Sequence, residues 1–284
     1  MKIESQVLEK SDTNATLFVQ YAPRTALAPF IKSISIIKRG SDAPELFQLP
    51  DGSTTLILRL RNLPAKSANG DFPNTNGVIN LIGTRTHAVR KAPGSVPLAI
   101  AVKFNPGGAY PFFDVPLSEI TDQIVCLEDI WQEESARLDD VLWAANDNDS
   151  RLTMLQDVLQ RRLLRQDKYN SELLRTVRAA IRLIETSDEI PRTEDISKRL
   201  GVGSRRLRRL FDTLVGISPK KFARIARLQN VIRAAQQTAV LDWATMAADT
   251  GYYDQAHLIS DFKRLTGITP GAFTEELNHR QLCS

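Results

Sequence analysis

The 284 residues predict an α+β chain, strand-rich in its N-terminal half and wholly helical in its C-terminal region. Three observations carry this. Up to about Phe104 the apolar residues fall in short β-branched or alternating runs separated by glycine, proline and asparagine turns, the pattern of strands. Beyond that point the apolar period lengthens to that of amphipathic helices. Finally, the segment from Leu207, LRRLFDTLVGISPKKF, returns at Leu258 as LISDFKRLTGITPGAF. The copies share Leu207/Leu258, Phe211/Phe262, Leu214/Leu265, Gly216/Gly267, Ile217/Ile268, Pro219/Pro270 and Phe222/Phe273. Two copies do not make a solenoid, which needs at least about three; this is one small unit used twice.

In chain order, strands are expected at Ile34–Ile37, Leu46–Leu49, Thr54–Leu60, Val78–Ile82 and Leu98–Phe104. A barrel-like sheet is one way for such a set to close. Asn105-Pro-Gly-Gly108 ends the strand section as a tight turn. A single amphipathic helix is expected over Leu127–Ala145, then a polar break at Asn146–Ser150 and a helix with Leu152, Leu155, Val158, Leu159 and Leu163 on one face. That stripe is too short for a sustained heptad seam and is expected to pack on its own domain. The expected units are an N-terminal α+β regulatory or dimerisation domain over 1–145, a helical linker over 146–171 and a helical domain over 172–284.

Composition limits the functional classes. A hydrophobic share of 42% with 25% charged residues is that of an ordinary globular protein. No stretch approaches the roughly 18 apolar residues of a membrane span, and the N-terminus lacks the apolar core of a signal peptide. Cys126 and Cys283 are too few for a disulfide framework. Together these point to the cytoplasm. Charge is unevenly placed: residues 193–236 hold 11 Lys and Arg against 3 Asp and Glu. Such an excess is the footprint of a surface that meets phosphate, or else a solvated face.

The repeated unit reads as helix, short glycine turn, helix. In the first copy Thr193 is the expected N-cap, Gly201-Val-Gly203 the turn and Ser204 the cap of a second helix. Leu207, Leu210, Phe211 and Leu214 then form an apolar stripe opposite Arg205, Arg208 and Arg209. Gly216 stops that helix, and Ser218-Pro219 opens the next. The second copy has a helix at Trp243–Ala248, a turn at Asp249–Tyr252, a helix to Thr266, a stop at Gly267 and an opening at Thr269-Pro270. This grammar is the helix-turn-helix, whose second helix enters the major groove.

Asp195–Gly201, Arg208–Pro219 and above all Gly251–Pro270 resemble the DNA-binding domain of the AraC/XylS family of transcription regulators over about 172–277. The resemblance implies two helix-turn-helix subdomains, at about 193–216 and 241–267, joined by a long helix at about 219–237. It also implies two recognition helices in adjacent major-groove segments. Val102–Phe113 and Pro116–Asp122 resemble an N-terminal domain found with such regulators.

On this reading Arg205, Arg208 and Arg209 read bases from the first helix, and Gln255, His257 and Ser260 from the second, beside Ala256. Arginine suits guanine and glutamine suits adenine, while serine serves either type of edge. Arg206, Lys220, Lys221 and Lys263 are the phosphate candidates, with Lys198 and Arg199 as additions. Tyr252 and Trp243 are expected in the core. Promoter DNA is the expected partner of a homodimer. RNA polymerase is a further candidate partner, as is a small-molecule effector that the sequence does not identify. Arg59, Arg85 and His87 would suit an anion there. No catalytic residue, cofactor or metal is expected, since the three histidines have no ligand-spaced companions.

Two other classes compete. One is a DNA-repair enzyme with Cys126 as alkyl acceptor, although the neighbours Glu128 and Asp129 are the wrong sign to activate a thiolate. The other is a sensor of a ligand or protein with no specific DNA site.

Overall fold

The computed structural model describes residues 7–13, 16–40, 43, 45–60, 79–91, 96–165, 171–187, 190–237 and 242–275. Its strands are β1 (Val7–Thr13), β2 (Thr16–Tyr21), β3 (Ile31–Arg39), β4 (Leu46–Gln48), β5 (Thr55–Arg59), β6 (Ile79–Ile82), β7 (Val89–Lys91), β8 (Val96–Phe104) and β9 (Ile124–Cys126). Seven form an antiparallel sheet in the order β1-β2-β3-β8-β5-β6-β9, and β4 pairs with β7 in a separate ribbon.

Register explains the core. Ile34 and Leu56 both lie opposite Val102, and Ile36 and Leu58 both lie opposite Ile100. Two cross-strand rows of branched side chains thus line one face, each at most 1% exposed. Helices α1 (Tyr110–Phe113), α2 (Glu128–Trp131), α3 (Glu133–Ala144) and α4 (Asn148–Arg165) contribute to the same core. Phe113 stacks on Trp131, whose indole N–H donates to the Phe112 carbonyl at 3.0 Å. Arg162 lies over the Trp131 ring and pairs with Glu134.

Three expectations change. The sheet is open, with β1 and β9 as its two edges, and helices rather than strand closure cover its apolar rows. The helix expected over Leu127–Ala145 is broken at Gln132 (φ 50, ψ −130), so α2 and α3 are separate. Strands β1, β2, β7 and β9 join those expected. The stripe of α4 packs inward as expected, with Leu152, Leu155 and Leu159 fully buried.

The rest is helical: α5 (Ser171–Glu185), α6 (Thr193–Leu200), α7 (Ser204–Leu214), α8 (Pro219–Gln237), α9 (Trp243–Asp249) and α10 (Gln255–Thr266), with helix again at 270–275. One apolar cluster runs from Val177 of α5 through Leu207, Phe211, Phe222 and Leu228 to Leu258 and Phe262. Phe47 of β4 is part of it, so the strand-rich half inserts into the helical half. No helix among the described residues is long and apolar enough to cross a membrane.

Candidate nucleic-acid interface

Helix α7 begins where Gly201 adopts left-handed backbone (φ 66) and lets α6 stop. Its capping departs from expectation. The N-cap is Gly203 and Ser204 is already helical; likewise Arg192, and not Thr193, is the N-cap of α6, and neither end has a side-chain cap bond. Both N-caps are in extended backbone, and no hydroxyl caps either helix. Leu207, Leu210, Phe211 and Leu214 are buried. Arg205, Arg206, Arg208 and Arg209 are all exposed on the other side, with no acid in the first turn. Arg208 donates to Glu194 of α6 at 2.7 Å, an exposed ion pair worth about 0–1 kcal/mol.

Helix α8 opens as expected, Ser218 Oγ accepting from the Lys221 N–H at 3.3 Å. Lys220 and Lys221 stand exposed in its first turn. Cations there oppose the helix dipole, by about 0.3–1 kcal/mol each, so they do not serve the stability of the helix.

Helix α10 is capped by Asp254, which accepts the His257 N–H at 2.7 Å. Gln255, Ala256 and His257 are exposed in its first turn, and Ser260 follows one turn on. The His257 ring meets Tyr252 edge-to-face at 5.2 Å. Tyr252 is buried, as expected, and Trp243 is half-buried edge-on to Phe262. Lys263 is exposed in the last turn of α10 and Lys198 and Arg199 in that of α6.

A buried ionic cluster joins α10 to α8, and sequence reasoning missed it. Asp261, 4% exposed, pairs with Arg224, and its other oxygen lies 3.5 Å from Arg227. Arg227 donates to the Gly251 carbonyl at 2.9 Å and lies 3.6 Å over the Tyr252 ring. Burial, with Asp261 adding and Arg227 opposing, pushes the Tyr252 phenol up to about 12. A signal existed: Asp261 occupies the position that Leu210 holds in the first copy, a carboxylate inside an apolar stripe.

The N-terminal domain holds this region. Gln229 of α8 donates to the Pro50 carbonyl at 2.6 Å, and a Cβ at Gly52 (φ 75) would stand 2.6 Å from the Phe222 ring. Asp51 braces that turn: burial would raise its carboxyl, but Lys103 and the Ser53 hydrogen bonds outweigh burial and hold it low. Thr84 donates to the Val215 carbonyl and Thr121 to that of Gly216, both at 2.6 Å.

Of the three anion candidates, Arg85 and His87 meet at Asp122, an acid of the protein itself, and Arg59 is not part of that contact. Arg59 lies on β5, whereas Arg85 donates to the Asp122 carbonyl at 3.3 Å and His87 Nδ1 lies 3.4 Å from the Asp122 carboxylate. Gly107 and Gly108 are a tight turn, where a Cβ on Gly108 would meet the Phe30 carbonyl at 2.2 Å. Cys126 is half-buried on β9; Cys283 lies outside the described residues. Among the described residues no group of three His, Cys, Asp or Glu could hold a metal ion.

Residues 196–276 match a family described as a helix-turn-helix domain, and residues 19–126 match a domain of unknown function, DUF6597. No curated protein matches the chain. Among solved structures, it is similar to an AraC-type transcriptional regulator from Chromobacterium violaceum. That match is 27% identical, covers 38% of this chain and 96% of that one, and has a TM-score of 0.35. It is also similar to a probable AraC family regulator from Rhodopseudomonas palustris (24% identical, 36% and 96% covered, TM-score 0.32) and to ToxT from Vibrio cholerae (13% identical, 81% and 88% covered, TM-score 0.38). The helix-turn-helix match spans both copies of the repeated unit, so residues 196–276 are a helix-turn-helix domain.

Proposed function

We propose that this chain is a transcription regulator of the AraC type and binds DNA sequence-specifically through two adjacent major-groove segments, with α7 as the stronger reader. The observation that carries this is the outward face of α7, where Arg205, Arg208 and Arg209 stand exposed on a helix whose opposite face is anchored in the core. Gln255, His257 and Ser260 give α10 a neutral reading face with fewer charge-assisted contacts. Arg206, Lys220, Lys221 and Lys263 take phosphates. In this reading residues 172–284 bind DNA in the cytoplasm, at the nucleoid, residues 146–171 connect the halves with α4 packed into the N-terminal core, and residues 1–145 modulate binding and pair two copies. Val141, Trp143, Met154 and Leu164, left exposed on α3 and α4, fit such pairing.

Selection of bound fragments from a random DNA pool tests the reading. The expected product is a site of two boxes about one helical turn, roughly 10 base pairs, apart. Retention of all fragments alike, with affinity following salt concentration alone, would leave non-specific binding only.

A further inference from the structure

The segment between β6 and β7 touches the ends of both recognition helices. Thr84 Oγ1 donates to the Val215 carbonyl just past α7, and the Ala88 N–H donates to the Leu265 carbonyl in the last turn of α10, at 2.6 and 2.8 Å. The final carbonyls of a helix have no partner within it. Here an outside segment supplies donors to both helices. Residues 84 and 88 are four steps apart, so the strap between the two ends spans at most about 14 Å.

The strap is itself held. Asp122, in left-handed backbone (φ 60), accepts from the Thr86 N–H at 2.7 Å and the Thr86 hydroxyl at 2.6 Å, and its own N–H donates to the Thr84 carbonyl at 3.1 Å. Gly83 donates to the Gln123 carbonyl at 3.0 Å, and a Cβ on Gly83 would collide with the Ile120 carbonyl at 1.8 Å. Thr121, beside Asp122, grips the Gly216 carbonyl at 2.6 Å. Residues 83–88 and 121–122 therefore form one closed bracket on the carbonyl ends of α7 and α10. Helix α8 is a separate tie between the same two units. The bracket is a second link between them, made through the N-terminal domain.

We infer that this bracket fixes the spacing and mutual angle of the two recognition helices, making Thr84 and Ala88 positioning residues for DNA reading from outside the helix-turn-helix half. The inference rests on the two-groove reading above. With the bracket in place, Arg205, Arg208, Arg209, Gln255, His257 and Ser260 are all exposed. The bracketed form is thus the DNA-reading form, and the N-terminal domain pre-arranges the readers without covering them.

The test uses the full chain with Cys126→Ser and Cys283→Ser, spin-labelled at Asp212→Cys and Arg264→Cys, first without DNA. A single narrow distance distribution is expected, broadened by Thr84→Val with Ala88→Pro and kept narrow by Thr84→Ser. An unchanged distribution in the double variant would overturn the bracket. Unlabelled proteins are then titrated with the fragments selected above, the two boxes moved apart by two base pairs. The parent should lose about tenfold in affinity and the double variant less than about threefold, because loosely linked modules tolerate respacing. Equal losses would overturn the positioning role. If selection yields no site, the two-groove reading fails, while the distance measurement still decides the bracket.

Discussion

The two helix-turn-helix copies share a scaffold and are anchored by different physics. In the first, Leu210 completes an apolar stripe, and Thr84 and Thr121 cap the carbonyls beyond α7. In the second, the position of Leu210 is taken by Asp261, held by Arg224 and Arg227 of α8. An apolar anchor tolerates small rotations of the helix. A buried carboxylate between two guanidinium groups allows one seat, because misplacement leaves charge unpaired. The copy with the strongly basic outward face has the forgiving anchor, and the copy with the neutral face has the exacting one. The difference suggests a division: charge brings α7 to DNA, and placement matters more to what α10 reads.

The sharpest way to break the comparison is Asp261→Ala, which takes the carboxylate from buried Arg227 and half-buried Arg224. It should cost about 3–5 kcal/mol in urea unfolding. Asp261→Leu combined with Arg224→Met and Arg227→Met, which remakes the first copy's anchor, should recover most of it. A loss below about 1 kcal/mol for Asp261→Ala would show that the cluster does not anchor α10. Next in size is the Tyr252 phenol. Its folded value of about 12 lies above the ordinary value of about 10, so its contribution is complete below pH 10 and is lost as pH rises toward 12. Stability should fall by about 2–3 kcal/mol over that window, and Tyr252→Phe should flatten the slope. Persistence of the slope in Tyr252→Phe would assign it to other groups.

Arg209→Ala should cost about 1–3 kcal/mol of discrimination between the selected site and its single-base variants. Ser260→Ala should cost no more than about 0.5–1.5 kcal/mol, the range of a neutral hydrogen bond. Reversal of that order in competition binding would make α10 the dominant reader. Replacing Lys220 and Lys221 by alanine should weaken all sequences alike and reduce the salt slope by about one per lysine. Smallest is Glu194→Ala, which frees Arg208 and should tighten binding by less than about 1 kcal/mol.

Much of the helical region was legible because a repeat gives two readings of each structural position. Where copies agree, as at Gly216/Gly267 and Phe222/Phe273, the residue serves the scaffold. Where they differ at a core position, as at Leu210/Asp261, a second partner must exist, but its identity required knowing that α8 passes alongside. Caps misled at Thr193 and Ser204 because Arg192 and Gly203, both in extended backbone, open those helices without a hydroxyl. In the N-terminal half β3, β5, β6 and β8 were readable as apolar runs and β4 from the turn signals beside it, whereas β7 and β9, three residues each, show no alternation, and β1 and β2 were missed despite their length. The inter-domain contacts were invisible for a different reason. They depend on single atoms, a threonine hydroxyl or a backbone N–H, that no residue pattern singles out.

The capping of α7 and α10 by residues 84, 88 and 121 also has a direction in time. Synthesis runs from the N-terminus, so the donors of Thr84, Ala88 and Thr121 exist before the carbonyls of Val215, Gly216 and Leu265 are made. Each recognition helix leaves the ribosome after the surface that finishes it. A helical half produced by itself would be born without that template.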